Sequence, residues 1–115
     1  MPKHRLLTEF GIGSSLRHQD YTAAARRALQ DALWRNSINL AELFGKPKEA
    51  MIIDVEIAVQ NPDQVDCDAL TSVFPYGQIS VRAMKGGLDV TRPDGNPTVI
   101  ANAAINVSLV LEPKP

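Results

Sequence analysis

The sequence predicts an α+β fold of order β-α-β-α-β-β, a four-stranded mixed sheet with two helices on one face and an oligomer contact on the other. Two observations carry that prediction. Residues 50–60 and 98–111 place an apolar side chain at every second position, the mark of strands with one buried face. Residues 21–36 instead repeat at three- and four-residue spacing, through Tyr21, Ala25, Ala28, Leu29, Ala32 and Leu33, as an amphipathic helix does. Two helices cannot cover both sides of four strands, so both are placed on the apolar side of the sheet.

In chain order, His4 to Phe10 reads as a strand, with Leu6, Thr8 and Phe10 pointing one way and Leu7 and Glu9 the other, and Gly11 ends it. Asp20 or Thr22 can cap the helix that follows. On that helix Arg26, Arg27, Gln30, Asp31 and Arg35 fall mostly off the apolar stripe, and Asp31 and Arg35, spaced i,i+4, are read as a solvated surface pair. Residues 36–49 combine Ile38, Leu40, Leu43 and Phe44 with Gly45 and Pro47, a connection that seals the edge of the core. The strand at 50–60 buries Met51, Ile53, Val55, Ile57 and Val59 and turns Asp54 and Glu56 outward. Asp66 caps a short helix over 67–74 that stops at Pro75. Ile79, Val81 and Ala83 form the third strand, extended through Leu88 and Val90 past a bend, bulge or close contact at Gly86-Gly87. Arg92-Pro93-Asp94-Gly95-Asn96-Pro97 is the strongest turn signal. The last strand lines up Val99, Ala101, Ala103, Ile105, Val107, Leu109 and Leu111, with Asn102, Asn106 and Ser108 opposite.

The length of 115 residues fits one domain over 1–115. Twelve basic and 13 acidic residues leave a net charge of −1, which disfavours nucleic acid and anionic membrane surfaces as partners. No apolar run is long enough to span a bilayer, and Lys3-His4-Arg5 leads into no signal-peptide core. A single cysteine, Cys67, allows no internal disulfide and suits a reducing compartment, so the cytoplasm is the expected location.

The candidate ligand site is the stretch Gly11, Gly13, Ser14, Ser15, Arg17, His18 and Asp20. Its glycines permit φ > 0 or a close neighbour, and a helix N-terminus with Arg17 beside it suits a carboxylate or phosphate. It lacks a third glycine and a Lys-Ser/Thr pair, so neither the dinucleotide nor the P-loop fingerprint is met, and no cofactor is specified. His18 is the candidate catalytic residue, a general acid/base with Asp20 as orienting group; the alternative is an exposed loop histidine. No metal site is predicted, because the spacing of His4, His18 and Asp20 matches no common ligand pattern. Cys67 sits in no nucleophile motif. Asp54 and Glu56 share a strand face as an acid/base pair or, more often for such pairs, as charges neutralised by a neighbour such as Arg82.

Taken with Val73-Phe74-Pro75-Tyr76-Gly77, Gly86-Gly87 and Asn102-Ala103-Ala104, the glycine stretch resembles a small family of conserved hypothetical proteins over nearly the full chain. That family carries a Gly-x-Gly-x-Asp-x-His-Gly motif. Here Ser15 stands at the Asp position, Arg17 at the His position and His18 at the last Gly, so the resemblance implies altered or lost chemistry. The element order is also similar to the Bacillus-type chorismate mutase and YjgF-like architectures, which implies a trimer with sites between subunits.

No catalytic signature is complete, and the sequence names no activity. The reading it supports is binding of an anionic small molecule at Gly11 to Asp20, with catalysis at an intersubunit site left open. The alternative is a non-catalytic oligomeric binding or structural protein. The face bearing Glu9, Asp54, Glu56, Arg82, Asn102 and Asn106 also carries Leu7, Ile52, Ala58, Met84, Ile100, Ala104 and Val110, too apolar for water alone. A homo-oligomer is therefore expected, a trimer in preference to a dimer.

Overall fold

The computed structural model describes residues 3–35, 41 and 44–111. Strand β1 covers Lys3–Ser15, helix α1 Tyr21–Arg35, β2 Ile52–Val59, α2 Cys67–Leu70, β3 Gln78–Lys85, β4 Leu88–Val90 and β5 Thr98–Val110. The sheet order is β1-β5-β2-β3, with β4 also paired to β5. Strand β5 is antiparallel to β1, β2 and β4, whereas β2 and β3 are parallel. It follows that β1, β2 and β3 all run the same way, and the N-terminus of α1 lies at their carboxyl ends.

The α+β class and the mixed sheet are as the sequence predicts, and the periodic segments behave as expected. Met51, Ile53, Val55, Ile57 and Val59 are buried, as are Val99, Ala101, Ala103, Ile105, Val107 and Leu109 opposite α1. Asp20 caps α1, its Oδ1 accepting from the Ala23 amide at 2.9 Å, and Asp66 caps α2 by accepting from Ala69 at 3.1 Å. The 67–74 helix is shorter than expected: α2 gives way to a 3-10 turn at Thr71–Val73. Phe44 and Gly45 are exposed, but the sealing role expected of Ile38, Leu40 and Leu43 lies outside the described residues.

Three local expectations are corrected. First, β1 does not end at Gly11 but pairs with β5 as far as Ser15↔Val99. Neither Gly11 nor Gly13 has positive φ. Both lie flat under α1: a Cβ on Gly11 would come within 2.0 Å of Ala28 O, and one on Gly13 within 2.4 Å of Ala24 O. The helix meets them with Ala24, Ala28 and Ala32, so backbone packs almost on backbone.

Second, Glu9 and Leu7 do not belong to the open face. Gly11 and Gly13 must point at the helix, and the period of two carries Glu9, opposite Ile105, and Leu7, opposite Val107, to that same side. Thr8, Phe10, Ile12 and Ser14 take the open face instead. A bulge shifts the register between Arg5 and Leu7.

Third, among the described residues the sheet has five strands rather than four. Gly87 takes φ +62, and a Cβ there would lie 2.3 Å from Ile100 O. Gly86 donates to Val59 O at 2.9 Å. The chain thus steps across the end of β2, and β4 continues beside β5 in the lane β2 has left.

Candidate functional site

Beyond the end of β1 the chain makes a short loop before α1. Ser15 Oγ accepts from the Asp20 amide at 3.1 Å, and Gln19 adopts φ 49 to close the bend. Thr98 Oγ1 donates to Leu16 O at 3.2 Å and Asn96 Nδ2 to Arg17 O at 3.4 Å, which ties the loop to the turn before β5. Held in this way, Ser14, Ser15, Arg17, His18 and Asp20 line one groove of about 480 Å³.

Arg27 closes that groove from the second turn of α1. Its Nη1 donates to Ser14 O at 2.5 Å. The helical spacing places Arg27 off the apolar stripe and assigns it to no site; the crossing of α1 over the end of β1 brings it to the groove. Two guanidinium groups and an imidazole therefore line the groove together with one carboxylate, that of Asp20, whose Oδ1 already accepts from the Ala23 amide. Gly11 and Gly13 stand apart from the groove, beneath the helix. They set how closely α1 approaches β1 and so where Arg27 lies.

His18 is exposed, and no hydrogen bond joins it to Asp20. His4 sits at the opposite end of β1, so these three residues do not converge. Among the described residues no group of three His, Cys, Asp or Glu is arranged to hold a metal ion. Asp54 and Glu56 are neutralised: Lys3 Nζ lies 2.7 Å from Asp54 Oδ2, and Arg82 Nη2 lies 2.8 Å from Glu56 Oε1. Arg82 was the expected partner; Lys3 was not foreseen. Burial, then the charges of Asp68 and Asp66, push the Cys67 thiol above its ordinary range despite the Ala83 amide that donates to it. That environment disfavours a reactive thiolate.

A family model described as a conserved hypothetical protein (Lin0512_fam) matches residues 5–107. The chain belongs to this family. No curated protein matches it. Among solved structures it is similar to the crystal structure of an FtsZ-like protein of unknown function from Nostoc punctiforme PCC 73102. The two are 30% identical with a TM-score of 0.85, the match covering 95% of this chain and 98% of that one. The similarity to chorismate mutase and YjgF-like architectures is not carried by these matches. Among the described residues of this Lin0512_fam member, no helix is long and apolar enough to cross a membrane.

Proposed function

We propose that this Lin0512_fam protein is a cytoplasmic homo-oligomer that binds a small anionic molecule in the groove at the start of α1. The observation that carries the reading is the convergence of Arg17, His18 and Arg27 on one groove with Ser14 and Ser15. Guanidinium forks match planar or tetrahedral oxyanions, and the helix end adds a partial positive charge. The groove also lies where open sheets with parallel strands place their ligands, outside the strands' carboxyl ends. Binding is favoured over catalysis, since His18 has no acceptor from Asp20 to orient its ring.

Assembly is proposed through the open face. Phe10 is 69% exposed, Ile12 55% and Leu88 55%, and they lie toward one end of it. An isolated surface rarely leaves such a patch bare. The β1 edge is a poor alternative: Asp31 Oδ2 accepts the outward Ile12 amide at 3.0 Å, and Arg27 takes up the Ser14 carbonyl. A trimer is favoured by likeness of element order, with a dimer as alternative.

The binding test is a melting-shift panel of carboxylates and phosphates on the native chain, Arg17→Ala and Arg27→Ala. A shift in the native chain that both variants lose supports the reading. A panel that moves nothing, or shifts kept by both variants, overturns it.

A further inference from the structure

The other end of the open sheet face is a polar hollow of about 400 Å³, remote from the α1 groove in residues and in charge pattern. Its construction begins with the bulge in β1. An unbroken alternation from Thr8 would put Leu6 and His4 on this face. The register shift between Arg5 and Leu7 instead sets Arg5 opposite Ser108 and Lys3 opposite Val110, so two cations lean over the sheet while Leu6 packs against the core. Bulges recur beside functional sites because they re-aim side chains in this way.

The floor is polar and buried although no helix among the described residues covers it. Asn106 is 7% exposed and Ser108 2%. Asn106 Oδ1 accepts from Thr8 Oγ1 at 2.7 Å, which leaves its NH2 group as the donor offered to the hollow. The walls carry three cations, Lys3, Arg5 and Arg82, against two carboxylates. Lys3 takes Asp54 Oδ2 and Arg82 takes Glu56 Oε1, so each carboxylate keeps one oxygen as a further acceptor. Arg5 has no carboxylate partner among the described residues.

We propose that this hollow is a second ligand site, for a small hydroxy- or amino-carboxylic acid. The surplus of one positive charge matches a monoanion. Arg5 pairs with the ligand carboxylate through its guanidinium fork, and the Asn106 amide donates to the same group. Asp54 Oδ1, with the hydroxyl of Ser80 beside it, accepts from the ligand hydroxyl or ammonium. Glu56 and Asp54 repel a dianion, so a phosphate is disfavoured here, in contrast to the α1 groove.

The test is NMR titration of the full chain with L-serine, glycolate, acetate and inorganic phosphate, following the Asn106 side-chain amide and the Arg5 Nε–H. L-serine or glycolate is expected to move both signals saturably in the millimolar range, with acetate and phosphate binding more weakly. Arg5→Gln is expected to weaken binding about tenfold or more, the loss of one charge-assisted pair. Asn106→Asp, nearly isosteric, sets a like charge beneath the ligand and is expected to abolish the response. Arg17→Ala is expected to leave it intact, which separates this site from the α1 groove. The proposal is overturned if neither L-serine nor glycolate saturates, if phosphate binds as tightly, or if Arg5→Gln and Asn106→Asp both bind like the native chain.

Discussion

The Tyr21 hydroxyl, on the first residue of α1, donates to Asp89 Oδ2 of β4 at 2.5 Å. Asn61 Nδ2 and Gln19 Nε2 donate to that same hydroxyl at 2.6 and 3.2 Å. One buried oxygen thus joins the loop before α1, the end of β2 and the shortest strand. Asp89 Oδ1 is buried without a hydrogen-bond partner, so its carboxylate depends on Tyr21. Tyr21→Phe should lower stability by about 2–3 kcal/mol, the range for a hydrogen bond to a charged group. Urea unfolding measures it. The double variant with Asp89→Asn should lose less than the sum of the single changes, and strict additivity would deny the coupling.

Gly11 and Gly13 carry the contact between α1 and β1. Gly13→Ala would place a Cβ 2.3 Å from the Ala28 amide nitrogen, and helix backbone cannot yield as a side-chain tip can. Overpacking of this kind costs about 1–3 kcal/mol or more. Thermal unfolding should show that loss for Gly11→Ala and Gly13→Ala alike. Stability equal to the native chain in either variant would mean that the helix is not seated on the strand.

Cys67 yields a pH prediction. Its thiol ionises at higher pH in the folded chain than in the unfolded one, because burial and then Asp68 and Asp66 penalise the thiolate. Its contribution is present in full below the unfolded thiol range and is lost as pH rises through the folded value, since the unfolded state sheds the proton first. Stability should therefore fall across the alkaline thiol range, with a shallower slope in Cys67→Ala. A neutral alkylating reagent should react more slowly with the native chain than with a free thiol. Faster reaction would contradict the assigned environment.

The apolar end of the open face predicts assembly. Ile12→Glu with Phe10→Asp should shift the light-scattering mass to that of a monomer. A monomeric mass for the native chain at micromolar concentration would remove the oligomer reading. The ion pairs Lys3–Asp54 and Arg82–Glu56 close within one chain and remain solvent-exposed, so Glu56→Gln should change stability by at most about 1 kcal/mol.

Restoring the family motif tests the α1 groove from another side. Ser15→Asp, Arg17→His and His18→Gly together exchange a buried hydroxyl and a guanidinium for an Asp-x-His pair. The anion shift seen for the native chain should weaken in this variant. An unchanged ligand profile would reduce the stretch to a turn.

What the sequence by itself determined is whatever one periodicity or one short-range bond can specify. The alternation from Met51 to Val59 and from Val99 to Leu109 names the strands and their buried faces, since strand side chains repeat every two residues whatever lies beside them. The Tyr21 stripe names α1, and the Asp20 and Asp66 caps act over three residues. Tertiary structure decided the rest, because backbone pairing and layer contact join residues far apart in the chain. The insertion of β5 between β1 and β2 sets Thr8 against Asn106 and, through β2, Lys3 against Asp54. The seating of α1 on Gly11 and Gly13 assigns those glycines to packing, turns Glu9 away from the open face and swings Arg27 into the groove. The bulge near Leu6 exchanges which side chains meet the open face. A shift of one residue leaves local composition untouched and inverts every side chain beyond it, so pattern alone could not place Arg5 over Ser108.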